Sequence, residues 1–129
     1  MREILFRGKT KDGKWVVGNG IIQGVDHISY ARWVDISNDK IRYEVIPETV
    51  GQFTGLTDKN GKKIFEGDIV RFSHEAYDED FIGAVIFDEC ESGFILKNGD
   101  GWVGFSYIGE CYEVIGNIHD NPELLEKVE

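Results

Sequence analysis

The sequence predicts an all-β (mainly β) protein with an N-terminal β meander, an SH3-like or pseudo-barrel body and a short C-terminal helix. Three observations carry that expectation. Val, Ile, Phe, Tyr and Trp recur in short runs, the composition that suits a pleated, half-buried surface. Ile41, Tyr43 and Val45 alternate with Arg42 and Glu44, the period-2 signature of a strand with one buried face. Sixteen glycines against two prolines punctuate these runs, a composition of tight turns rather than of disorder. At 129 residues the chain can bury about two-thirds of its unfolded surface. The expected division is a meander over residues 1–50 and a barrel with the helix over residues 51–129, packed as one domain.

Taken in order, Glu3–Arg7 reads as an opening strand, Thr10–Lys14 as a hairpin turn and Trp15–Val17 as the return strand. Gly18–Gly24 has the look of a glycine-rich phosphate loop. However, Ile21 and Ile22 are β-branched, no helix start follows, and the last glycine is out of register for GxGxxG. A turn between strands is the expectation there. Strands are expected at Ile28–Asp35, with a turn at Ser37–Lys40, then at Ile41–Val45, ended by Pro47, and at Thr49–Phe53. Beyond residue 68 the expected strands are Ile69–Phe72, Ile82–Phe87, Phe94–Lys97, Trp102–Ile108 and Tyr112–Ile118. A long first loop, a tight hairpin at Asn98–Gly101 and a short last link give the order of an SH3-like barrel. Asn121 as cap, Pro122 at the first helical position and Glu123 start a helix whose Leu124, Leu125 and Val128 form an apolar stripe.

The central stretch QFTGLTDKNGKKIFEGDIV, Gln52–Val70, joins turn chemistry to a strand entry. Asp58–Gly61 is a polar turn that places Gly61 where a positive φ is needed, and Glu66–Asp68 re-aims the backbone before Ile69. Asp58, Asn60 and Asp68 supply only a fragment of a calcium-loop spacing, and their flanks read as strand, so these residues are taken as turn formers. Three blocks, MREILFRG at Met1–Gly8, TVGQFTGLTDKNGKKIFEGDIV at Thr49–Val70 and YEVIGNIHDNPELL at Tyr112–Leu125, resemble the YopX family of phage and prophage proteins. The resemblance spans the chain, departing at Gly24–Lys40 and Ser73–Asp80. It implies a small, mostly β protein with a barrel-like body, and it brings no catalytic residues with it.

Charge is segregated. Residues 1–73 carry 12 Lys/Arg and 10 Asp/Glu, a balance of +2; residues 74–129 carry 2 and 14, a balance of −12. Such a field repels nucleic acid and membrane surfaces and attracts basic partners. No apolar run is long enough for a membrane helix, and a cytoplasmic protein is the default. Cys90 and Cys111 lack CxxC spacing and are expected as free, partly buried thiols. His27, His74 and His119 are scattered, no serine lies in a GxSxG elbow, and no catalytic, metal or cofactor residues are assigned.

Two surfaces remain as candidates for partner binding. One is the acidic loop with Glu75, Tyr77, Asp78, Glu79 and Asp80, together with Asp88, Glu89 and Glu91 on the next connection, both expected to rim one end of the barrel. The other is Trp102, which alternation places with Gly104 and Ser106, opposite Val103, Phe105 and Tyr107, and which is expected to pack. The expected function is a phage-type, non-enzymatic interaction module without cofactor. Its partner is a protein of basic character, and homo-oligomers are left open at the strand edges. A nucleic-acid mimic that blocks a DNA-binding protein is the alternative, and it requires carboxylates along one face. An enzyme acting on a small molecule stands last, since it would need a deep pocket of converging polar groups.

Overall fold

Alternating apolar residues and glycine turns do produce an all-β chain. The computed structural model describes residues 4–23, 32–36, 41–73, 79–105 and 111–126. The chain divides into two compact units, Met1–Gly55 and Leu56–Glu129.

In the first unit β1 (Phe6–Lys9) pairs antiparallel with β2 (Trp15–Gly18), with Phe6 opposite Gly18 and Lys9 opposite Trp15. β3 (Gly20–Gln23), β4 (Arg32–Ile36) and β5 (Ile41–Val45) form a second antiparallel ladder. The opening strand starts at Phe6, with Ile4 and Leu5 outside it, and Glu3 lies outside the described residues. Gly20–Gln23, expected as part of a turn, is a strand, because β-branched Ile21 and Ile22 suit the ladder better than a bend. The expected strand residues 28–31 and the turn at 37–40 lie outside the described residues. A 3-10 turn at Pro47–Thr49 ends β5, and Thr49 ties it down: its hydroxyl donates to Ile46 C=O (2.6 Å) and accepts from Lys9 N–H (2.8 Å). Among the described residues of this unit, Val45 and Phe53 are buried and apolar. Gly8 lets the Val45 side chain lie flat on β1, since a Cβ there would stand 2.8 Å from it. β6 (Gly51–Thr57) pairs with β1 at Gln52 and Gly51 and continues across the unit boundary.

The second unit contains β7 (Lys63–Phe65), β8 (Asp68–Phe72), β9 (Phe81–Asp88), β10 (Gly93–Asn98), β11 (Gly101–Gly104), β12 (Tyr112–Asn117) and α1 (Glu123–Glu126). Five of these strands form one antiparallel sheet in the order β11-β10-β9-β8-β12, so the last strand pairs with the first of the five. Among the described residues the sheet is open rather than closed as a barrel, with β11 and β12 as its two edges. They are linked through the Tyr112 hydroxyl, which donates to Gly104 C=O at 3.3 Å. Registers place Val70, Phe72, Val85, Leu96, Val103, Tyr112 and Val114 on one face. With Ile64 they make the core, where the Tyr112 ring lies 5.2 Å from Phe72 and 4.9 Å from Phe105. At about 25 cal/mol per Å² of apolar area removed from water, this cluster is the main stabilising term of the unit.

The C-terminal helix forms where expected, but its start is built differently. The Asn121 side chain does not cap the helix; its Oδ1 reaches back to accept Asn117 N–H at 3.3 Å, closing a turn whose other amides are held by Asn117 Oδ1. Gly116 makes room for this closure. A Cβ at that position would lie 2.6 Å from Asn121 Oδ1 and 2.9 Å from Leu124 Cδ1. No helix among the described residues is long and apolar enough to cross a membrane.

Candidate functional site

The central block does its work through hydrogen bonds. Asp58 is 6% exposed, and its carboxylate meets three backbone donors. Oδ1 accepts from Asn60 N–H and Lys62 N–H, both at 2.9 Å, which shapes the turn, while Gly61 takes φ +80°. Oδ2 accepts Val114 N–H at 2.9 Å, and beside it Lys59 N–H donates to Tyr112 C=O at 3.0 Å. Burial opposes ionisation of Asp58, but the amides of Val114, Lys62 and Asn60, with the Lys62 charge, outweigh it and lower its pKa from the usual 3.8. Asp68, 1% exposed, accepts Phe65 N–H at 2.8 Å. Among the described residues no group of three or more His, Cys, Asp or Glu is placed to hold a metal ion.

This arrangement seals one edge of the sheet. In an antiparallel ladder the N–H and C=O of successive residues point alternately toward and away from the neighbouring strand. Cys111 C=O accepts from Ser73 N–H, and Glu113 lies opposite Arg71, so Tyr112 and Val114 turn their polar groups outward from β12. Two of those outward groups, Tyr112 C=O and Val114 N–H, are the ones that Lys59 and Asp58 occupy. A register shift between Val114 and Gly116 interrupts the pairing with β8, which resumes with Gly116 opposite Ile69 and Asn117 opposite Asp68.

The acidic candidates are dispersed. Glu75, Tyr77 and Asp78 lie outside the described residues, as do His27 and His74. Glu79 and Asp80 are exposed just before β9, while Asp88 is its last residue. The two connections therefore sit at opposite ends of one eight-residue strand, roughly 25 Å apart at 3.3 Å per residue, and not on a common rim. The expectation overlooked that consecutive loops of an antiparallel meander alternate between sheet ends.

Asp88 is committed to its turn, since Oδ1 accepts Cys90 N–H (2.8 Å) and Glu91 N–H (3.1 Å). Glu89 and Glu91 are exposed in that turn. Asp80 stands 4.0 Å from Arg71, which also pairs with Glu113 across the β8–β12 register, and Lys59 lies 3.9 Å from Glu113. Cys90 and Cys111 are free thiols, the first exposed and the second half-buried against the core.

Trp102 departs from expectation. Its register partner is Lys97, opposite Ala84 on β9, so it stands on the sheet face away from the core and is 51% exposed. Val103, one residue on, packs against the core as alternation requires. Ser106 and Tyr107 lie outside the described residues. The row through Trp102 crosses β9 at Ala84, midway between Asp80 and Asp88. A surface element that sequence reasoning missed is Phe87, 51% exposed with Phe94 edge-on at 5.4 Å. Its place at the end of β9, beside the Asp88 turn, was a strand-boundary signal.

Fold and surface thus define a small all-β protein whose central motif is structural. The YopX protein family model matches residues 5–126, and the chain belongs to that family. In fold it is similar to the crystal structure of protein EF1440 from Enterococcus faecalis. That match has 24% sequence identity and a TM-score of 0.52, and it covers 97% of this chain and 99% of the other. No curated protein matches it.

Proposed function

We propose that the protein is a phage-type, non-enzymatic interaction module that binds a basic protein partner at the Trp102 edge of the five-stranded sheet. One observation carries the reading: an indole 51% exposed on a sheet edge, in a segment with a balance of −12. Glu79 and Asp80 flank its row on one side and the Asp88–Glu91 turn on the other. Exposed aromatics anchor protein interfaces, and a one-signed field raises the encounter rate of an oppositely charged partner. The strand order, with the fifth strand beside the first, is also that of SH3-like barrels, a peptide-binding class; this is support by fold analogy.

Mimicry of nucleic acid gains no such support. It needs carboxylates in a row, whereas Asp58 and Asp68 are buried, Glu113 is paired with Arg71, and the exposed Glu79–Asp80 and Glu89–Glu91 fall at opposite ends of β9.

Affinity capture from a bacterial lysate tests the reading. A protein retained by the wild type should be released by salt and lost from both Trp102→Ala and the Glu79→Lys/Asp80→Lys double variant. Retention equal in all three would contradict the proposed surface.

A further inference from the structure

The two edges of the five-stranded sheet are treated differently, and the difference assigns a binding mode. On β12 the Asp58–Lys59 turn takes two of the outward polar groups, Tyr112 C=O and Val114 N–H. On β11 the alternation runs as follows. Asn98 Nδ2 donates to Ile82 C=O, which fixes the side of β9 that faces β10. Lys97 and Ile95, opposite Ala84 and Ile86, then point their backbone groups toward β9, while Leu96 and Asn98 point theirs toward β11. Val103 and Gly101 answer them, so Trp102 and Gly104 turn their N–H and C=O away from the sheet. The Tyr112 hydroxyl bonded to Gly104 C=O confirms that direction. Among the described residues, no strand pairs with this side of β11, and Trp102 N–H, Trp102 C=O and Gly104 N–H face outward.

An open edge with a half-exposed indole beside it is a template for strand addition. Gly104 follows Trp102 on the same face, and a Cβ there would meet nothing within 4 Å. The indole therefore has open space along the edge in which to cover an incoming side chain.

Charge selects the occupant. A second copy of the chain brings the same net −10 and is repelled. A segment rich in Lys or Arg is attracted, because residues 74–129 carry a balance of −12 and Asp100 is exposed in the turn that enters β11. We propose that β11 is a strand-addition site for an extended, basic peptide segment of a partner protein, paired through Trp102 and Gly104 and covered by the Trp102 indole. This rests on the interaction-module reading and specifies its mode.

The test uses the whole chain, ¹⁵N-labelled, and three synthetic octapeptides: alternating Arg-Val, alternating Glu-Val, and Arg-Val with every second backbone nitrogen methylated. The expected result is amide shifts centred on Trp102 and Gly104 with the Arg-Val peptide alone. Binding should weaken at least tenfold in Gly104→Pro, which removes one outward N–H and leaves the ladder bonds of Val103 in place.

Val103 amide protection from exchange serves as the folding control for that variant. Overturning results are no shift with Arg-Val, equal binding of the methylated peptide, shifts confined to Glu79–Asp80 or Asp88–Glu91, or a dimer joined through β11 in sedimentation. If any of these appears while lysate capture still depends on Trp102, strand addition falls and the interaction reading stands. If lysate capture fails its own test, the interaction reading falls with it.

Discussion

In the Thr10–Lys14 turn, Thr10 N–H donates to Lys14 C=O at 2.8 Å and Gly13 N–H to Thr10 C=O at 3.0 Å. In the Asp58–Lys62 turn, Asp58 N–H donates to Lys62 C=O at 2.8 Å and Gly61 N–H to Asp58 C=O at 3.0 Å. The fourth residue is glycine in both, at φ +90° and +80°. In both, the first residue's side-chain oxygen accepts the N–H of the fifth, at 3.1 Å for Thr10 and 2.9 Å for Asp58. The backbone solution is shared, but the side chains go to different places. The Thr10 hydroxyl is spent locally, on Asp12 and on Lys14 C=O. Asp58 has a second oxygen, and that oxygen reaches Val114, 56 residues away in sequence. The same turn is therefore a hairpin closure in one unit and an edge seal in the other. The choice of a carboxylate over a hydroxyl makes the difference.

Breaking the seal should give the largest effect. Asp58→Ala leaves Val114 N–H without its acceptor and removes the two turn bonds, an expected loss of about 2–4 kcal/mol in chemical unfolding. The charge has its own signature. A carboxylate whose folded pKa is depressed contributes stability that is fully present above its unfolded value and is lost as pH falls through the folded one. The wild type should therefore lose stability more steeply than Asp58→Asn below about pH 4.

Next come the shared glycines. Gly13→Ala and Gly61→Ala each force a Cβ into a positive-φ residue with open space around it, so the two should cost alike, about 1 kcal/mol each. A Gly61 cost far above that of Gly13 would mean that the clamp also strains the turn. Smallest is the Thr10–Asp12 pair. Thr10→Ala should cost about 0.5–1 kcal/mol for its local bonds. Asp12→Ala should leave the unfolding midpoint unchanged, because that carboxylate is solvent-exposed.

The pattern of what the sequence reveals follows the range of the interactions. Period-2 alternation and glycine turns locate β8, β9, β10 and β12 to within a residue or two, because those signals are local; β7 was not expected, and β11 ends at Gly104, short of the expected bound. Asp58–Gly61, within the central block, is legible as a turn for the same reason. That Asp58 would be buried and bonded to Val114 is a long-range fact with no local trace.

The candidate site was harder to read. Asp88 is chosen by its own turn, and the two acidic connections separate because β9 runs between them. Trp102 was expected to pack because large aromatics dominate small β cores. Its exposure follows from register, since its neighbour Val103 takes the core position. The Asn121 cap failed because the same side chain serves the Asn117 turn instead.

Hydrogen exchange at the Val114 amide, compared among wild type, Asp58→Asn and Thr10→Ala, tests the central claim most directly. If Asp58 seals the edge, protection at Val114 falls at least tenfold in Asp58→Asn, the equivalent of about 1.4 kcal/mol, and is unchanged in Thr10→Ala. Equal protection at Val114 in all three proteins would contradict it.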